Sequence, residues 1–393
     1  MRVGINCLGI KPNYVGGVTS FTLGLLDGLL KIKTNNYQIY LSQNHFELFE
    51  KISHQDNVEI IICEKNMELK KIMFSFSLLF FPKKLHLTFT KFLFSNLSSI
   101  IDSKSDLIYT PTPTLFYYNN NRPSLVSMHD IQHLHYPRYF SFLRYKHRKK
   151  NYLLTAQFAT YLQASSSFIK YDFLNHYKFL EEENIFFINE GVNQIEFQMD
   201  KSKAKQICKD LDINNDFLFY PAQLWHHKDH LTVLKALKIL RDDFGILINL
   251  VLTGEKFSAT NSIFNYIKDY NLNEQIIYLG KVSFESLVAL YKMSKFFITA
   301  TLYESSSLPL LEAISAGTAV IASDTPPNKE MGQFLDINFF RAKDELSLVK
   351  IINKIWKDDI KRNEQISNNN KNIKKYLWDN IALKYNETFN LIV

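Results

Sequence analysis

Residues 296–324 read FFITATLYESSSLPLLEAISAGTAVIASD, and their punctuation predicts strand, loop, helix and strand. Residues 296–300 form an apolar run of strand length. Residues 302–308 are a serine-rich loop, and Pro309 suits the first turn of a helix, where its missing N–H costs nothing. Gly317 suits the position just past the helix end, and residues 318–323 are strand-like again. Glu304 and Glu312 bracket the loop and first helical turn with seven residues between them. Glu312 stands in the apolar sequence LLEAI, where a carboxylate needs a hydrogen-bond partner because an unpaired buried charge is very costly. Sugar and ribose hydroxyls are suitable partners.

Working outward, strands are expected at 217–222, 247–253 and 276–279, with helices at 229–241 and 283–293, the latter capped by Ser283. Residues 194–205 are polar and aperiodic and read as a domain boundary. Before it the same rhythm runs through strands at 2–6, 38–42, 58–63, 106–110, 124–128, 161–165 and 185–189. Strands alternating with helices predict an α/β chain of two Rossmann-like, doubly wound parallel sheets. The expected domains are 1–195, 196–375 and a last helix over 376–393, with Trp378, Ala382, Tyr385 and Phe389 on one apolar face.

The first strand leads through Gly16-Gly17 into a helix over 18–31, a layout that brings backbone N–H groups to a phosphate. The strand at 124–128 ends in His129-Asp130, at the edge where ligands bind in doubly wound sheets. Asp130 is placed to orient His129. His133, His135 and Tyr136 follow, but no cysteine or acidic cluster completes a ligand set, so no metal is expected there. Lys170 reads as a phosphate or acceptor contact, or equally as a solvated lysine.

At 393 residues the chain is long enough for two domains. Its net charge of +7 suits a nucleotide sugar or an anionic membrane surface, or carries no function. Cys7, Cys63 and Cys208 have no metal-ligand spacing and read as buried thiols of a reducing compartment. No secretory signal and no transmembrane stretch is read, which predicts a cytoplasmic protein. Between Leu69 and Ile101, phenylalanines and leucines mix with Lys70, Lys71, Lys83, Lys84 and Lys91. This is read either as an amphipathic helical hairpin over the sheet or as a surface for an anionic bilayer at the inner membrane face. Nucleic acid is not an expected partner.

The order Leu302-Tyr303-Glu304, Leu308-Pro309, Leu311-Glu312-Ala313, Gly317 and VIASD at 320–324 resembles the E-x7-E signature of the retaining glycosyltransferases of family 4, of the bacterial surface-polysaccharide type. The resemblance implies the GT-B fold, two Rossmann-like domains facing a central cleft, the N-terminal one for the acceptor and the C-terminal one for a nucleotide sugar. It implies a metal-independent, cofactor-free hexosyltransferase acting on a glycan or lipid-linked saccharide, with GDP-mannose or a UDP-sugar as donor. The residues it places at the donor are Gly16, Gly17, Gln223, Lys228, Glu304, Ser306, Ser307, Leu308 and Glu312. His129, Glu304 and Lys228 would serve the reaction. The chain departs from the family twice. Gln223 replaces an arginine that would grip the diphosphate, and Ser305-Ser306-Ser307 replaces Gly-Phe-Gly. An epimerase would need more acid–base groups, and a phosphorylase a much longer chain with a pyridoxal phosphate lysine. The remaining alternative is a catalytically degenerate scaffold or sugar-binding partner, supported by Gln223 alone.

Overall fold

The computed structural model describes residues 1–10, 17–63, 66–118 and 121–393. The chain divides into two units, Met1–Gly191 with Trp378–Val393, and Val192–Leu377. The first holds seven strands: β1 (Arg2–Asn6), β2 (Asn36–Ser42), β3 (Val58–Cys63), β4 (Leu107–Thr110), β5 (Ser124–Ser127), β6 (Tyr161–Ala164) and β7 (Ile185–Phe187). They are ordered β3-β2-β1-β4-β5-β6-β7, every pair parallel. The second unit holds six: β8 (Phe217–Pro221), β9 (Asn249–Thr253), β10 (Ile276–Tyr278), β11 (Phe296–Thr299), β12 (Val320–Ser323) and β13 (Asn338–Phe340). Their order is β10-β9-β8-β11-β12-β13, again all parallel. Both sheets therefore reverse direction at one point, between β1 and β4 and between β8 and β11, where doubly wound sheets bind ligands beyond the strand ends.

The second sheet explains its own sequence. Leu218, Tyr220, Phe296, Ile298 and Ile321 pack into a core on one face. Their neighbours Phe217, Phe219, Phe297, Val320 and Ala322 pack into a core on the other. With helices on both faces, such strands read as unbroken apolar runs rather than alternating ones. The edge strand β13 is not among the strands expected from the sequence.

In the first unit, the helix Trp378–Ile392 returns to pack beside the helix Gly17–Ile32. Leu25, Leu29, Tyr109, Trp378, Tyr385 and Phe389 share one core. The helices approach closely because Gly28 faces Trp378. A Cβ at Gly28 would lie 2.7 Å from the Trp378 carbonyl oxygen and 2.8 Å from the Ala382 Cβ. Gly191 is a second wall, since its Cβ would sit 2.6 Å from the indole. Gly28→Ala is expected to destabilise the protein by about 1–2 kcal/mol, overpacking outweighing the roughly 1 kcal/mol gained in helix propensity. Thermal unfolding would register this as a melting temperature lower by several degrees.

The segment from Leu69 to Ile101 is three helices, not a hairpin: Met67–Phe80, Lys83–Leu93 and Ser95–Lys104. Pro82 caps the second and ends the first. Leu69, Ile72, Met73, Phe76 and Phe80 are exposed, spaced along one side of the first of these helices. Lys83, Lys84 and Lys91 are exposed on the second. Among the described residues no helix is long and apolar enough to cross a membrane. Cys7, Cys63 and Cys208 are buried and stand outside any disulfide.

Candidate active site

The loops after β8 and β11 meet because their strands are neighbours at the reversal of the second sheet. After β8 the chain turns through His226–Lys228 before the helix His230–Phe244. Its turn is held from β11: Leu302 N–H donates to the His227 carbonyl at 2.8 Å, and Ala300 N–H to the Tyr220 hydroxyl at 3.2 Å. Tyr220 in turn donates to the Lys228 carbonyl. Gly254, at the end of β9, has φ +124° and no room for a side chain, since a Cβ would lie 2.6 Å from the Ala222 carbonyl oxygen.

This clamp brings Lys228 Nζ onto Glu304 Oε1 as an ion pair, with both side chains largely buried. The other carboxylate oxygen, Oε2, is buried with no protein partner. Close by in the chain, the helix Leu308–Ser315 starts with Pro309 in its first turn. Ser307 precedes it without making the usual side-chain cap, and its Oγ is also buried and unpartnered. The first N–H groups of a helix have no acceptor within it, and the dipole there favours negative charge. The segment thus presents unsatisfied donors and acceptors, which is costly unless a ligand completes them.

Glu312 lies one turn into that helix. Its Oε2 accepts from the Tyr291 hydroxyl at 2.7 Å, and Tyr291 is buried on the helix Phe284–Met293. Burial pushes the Glu312 carboxyl up to about 7, against the lowering effect of the Tyr291 hydrogen bond, with a smaller push from Glu196. One carboxylate is therefore paired with a cation and the other held near neutrality. Gln223 uses its carbonyl oxygen to accept from Trp225 Nε1 at 2.9 Å. Trp225 stacks on Phe257, with ring centroids 3.9 Å apart.

The first unit carries the remaining expected residues. Gly17 opens its helix, and a Cβ there would meet none of the described residues within 4 Å. Gly16 lies outside the described residues. His129, just beyond β5, is buried; its Nε2 lies 2.9 Å from the Pro111 carbonyl oxygen. Its Nδ1 faces Glu190 Oε1 at 3.5 Å. Asp130 does not orient it. That carboxylate accepts from Arg148 Nη2 at 2.5 Å and Gln132 N–H at 2.9 Å. The partner of His129 is Glu190, beyond β7, which also accepts from Ser165 Oγ at 3.1 Å. Burial lowers the His129 pKa, but the Glu190 hydrogen bond and charge outweigh it, and the net effect is a rise. Lys170 reaches Glu182 at 3.2 Å, a surface ion pair.

Glu190→Gln should therefore lower the His129 pKa. The proton on His129 is stabilised below the ordinary histidine pKa and lost as pH rises through the raised one. NMR titration of His129 would show its midpoint moving to lower pH in the variant. Glu190 was missed in the sequence because its partner lies 61 residues away; its place at a strand end was the available signal. A separate cavity of about 610 Å³ in the first unit, lined by Lys91, Asp102, Tyr117 and Asn121 among others, contains none of the expected residues.

Residues 204–373 match the family of glycosyl transferases group 1. The second unit carries a domain of that family. The chain is similar to the O-antigen chain mannosyltransferase RfbU of Salmonella typhimurium, 26% identical over 273 residues (66% of this chain and 67% of RfbU), and to protein CapJ of Staphylococcus aureus, 25% identical over 187 residues (46% of each). Among solved structures, Anabaena HepE in complex with UDP and glucose is 17% identical, with a TM-score of 0.74 over 99% of both chains. The fold is GT-B, and the group 1 domain is the unit that holds the Lys228–Glu304 pair and Glu312.

Proposed function

We propose that the protein is a retaining, metal-independent glycosyltransferase. It would move a hexose from a nucleotide-diphosphate sugar to a glycan or lipid-linked saccharide in cell-surface polysaccharide synthesis. The observation that carries this reading is the Lys228–Glu304 pair, with the unpartnered Glu304 Oε2 and Ser307 Oγ at the helix start. Glu304 Oε2 accepts from a hydroxyl of the transferred sugar. Ser306, Ser307 and Leu308 offer backbone N–H groups, and Glu312 accepts from the ribose hydroxyls. Lys228 and the Gly17 backbone neutralise the diphosphate as it leaves, the task a divalent cation performs in other transferases. His129, whose protonated form Glu190 favours, polarises the sugar near the reacting carbon. The acceptor attacks from the face the nucleotide leaves, so no protein nucleophile is required.

RfbU as a mannosyltransferase and HepE as a UDP complex support a GDP-mannose or UDP-sugar donor. RfbU's role in the O-antigen chain supports a surface-polysaccharide product. The exposed apolar stripe from Leu69 to Phe80, with Lys83, Lys84 and Lys91, supports docking on the anionic inner face of a membrane. Ile72→Ser with Phe76→Ser is expected to reduce co-sedimentation with phosphatidylglycerol vesicles several-fold.

Thermal shift against UDP-, GDP- and ADP-sugars tests the donor, because a ligand that binds only the folded state raises its melting point. NMR of the product's anomeric proton tests retention. A shift without any transfer would favour the degenerate reading that Gln223 supports. No shift with any nucleotide sugar would remove the donor role from the second unit.

A further inference from the structure

The stretch from His129 to Tyr136 holds three histidines but no acidic cluster of its own to complete a ligand set. The fold supplies the acidic ligand. Asp172 on the helix Ser167–His176 is buried, and its carboxylate stands between two imidazoles. His135 Nε2 lies 2.9 and 2.8 Å from its two oxygens. His176, one turn further along the same helix, brings Nδ1 to 3.2 Å from Oδ1. The three ligand atoms all fall within 4.8 Å of one another. Among the described residues this is the one group of three such side chains with that closeness.

We propose that His135, Asp172 and His176 bind a transition-metal ion of the zinc class, which clips the short helix Gln132–His135 to the helix Ser167–His176. The donor set decides the class. Two imidazole nitrogens and one carboxylate suit Zn²⁺ and its first-row neighbours, whereas Mg²⁺ and Ca²⁺ take oxygen ligands. The spacing agrees. Tetrahedral ligands about 2.0–2.1 Å from zinc stand about 3.3 Å apart, and the Asp172 carboxylate lies 2.8–3.2 Å from the two imidazole nitrogens. The side chains of His135 and His176 are 31% and 34% exposed, so water reaches the remaining coordination position. Without metal, His176 Nδ1 lies 3.0 Å from the Asp172 carbonyl oxygen.

The clip belongs to the first unit and takes no part in neutralising the leaving diphosphate, which is assigned to Lys228 in the second. Its place is structural. It fixes the segment six residues beyond His129, anchoring one flank of that histidine's loop to the helix after β6.

The test uses the full-length protein, stripped with EDTA and dialysed. Calorimetric titration with ZnCl₂ is expected to give one equivalent per chain, and a zinc-dependent rise in melting temperature that MgCl₂ does not reproduce. Co²⁺ should give visible bands of a low-coordinate nitrogen–oxygen site. His135→Gln and His176→Gln, both at solvent-reached positions, should each weaken zinc binding at least tenfold, and the double variant should lose the equivalent while keeping the wild-type circular dichroism. Saturable zinc binding that persists undiminished in the double variant would place the metal elsewhere and overturn the assignment. So would a wild type with no stoichiometric zinc and no cobalt bands, a result that depends on no variant folding.

Discussion

Glu312→Gln is expected to raise the melting temperature of the ligand-free protein at pH 8 and at the same time to remove most of the sugar transfer proposed for it. The stability gain follows from the raised carboxyl. Its pKa is about 7 in the folded chain and near 4.3 unfolded. Relative to an ordinary glutamate, Glu312 contributes stability below the unfolded value and loses it as pH rises to about 7. Above that, the folded state carries an ionised carboxylate it would rather protonate, at a cost on the order of 3–4 kcal/mol. Glutamine keeps the Tyr291 hydrogen bond without the charge. The gain should amount to several degrees at pH 8 and shrink towards nothing below about pH 4. The loss of function follows from the same charge. Two hydrogen bonds from ribose hydroxyls to a carboxylate contribute about 1.5–3 kcal/mol each. Glu312→Ala, which removes both, should lower kcat/KM about 10³-fold or more. Donor binding should tighten in the wild type between pH 6 and 8, since the ionised form is the acceptor. Melting curves across pH, set beside initial rates, check both halves. A variant with full turnover would remove Glu312 from donor binding.

Lys228→Ala is expected to be the most damaging single change in the second unit. It removes the cation assigned to the diphosphate, for a loss of about 10²–10³-fold in kcat. It also leaves Glu304 charged, mostly buried and unpaired, at a cost on the order of 3 kcal/mol. The two losses can be separated. Adding Glu304→Gln to Lys228→Ala removes the stranded charge and should return most of the stability, while transfer stays at the level of the single variant or below. Denaturant unfolding and rate measurements on the two single variants and the double complete the cycle. If the double variant were no more stable than Lys228→Ala, the pair would not hold the loops after β8 and β11 together.

Much of this was legible in the sequence because both sheets are buried on two faces. Strand after strand appears as an apolar run, and β1 and β3 begin and end where their runs do. Gly254 and Gly317, at strand and helix ends, were marked by chemistry that only glycine tolerates. Glu312 could be picked out because it stands inside an apolar helix, where an ionisable side chain needs a reason, and Lys228 and Glu304 because the resemblance places them at the donor. What escaped was set by distant partners. Asp130 was next to His129 in the chain, but side chains at the end of a strand point to neighbouring loops. Glu190, arriving from two strands away, takes the imidazole instead. His135 likewise lacked an acidic companion within its own stretch, because Asp172 comes from a helix 37 residues on. The three helices between Met67 and Lys104 read as two because Phe94, unlike Pro82, carries no helix-breaking signal.

The route of the chain through the two units also bears on how the protein is made. Residues 192–377 can be synthesised and folded as one continuous segment. The first unit cannot finish when its own seven strands have left the ribosome, because Gly28 and Gly191 wait for Trp378 to fill the space between them. At roughly 5–20 residues per second, the intervening segment delays it by roughly ten to forty seconds. For that time Leu25, Leu29 and Tyr109 lie beside an unfilled groove that a holdase chaperone can cover. A chain whose translation stops before Trp378 never closes it, which marks incomplete copies for proteolysis even when their group 1 domain is fully formed.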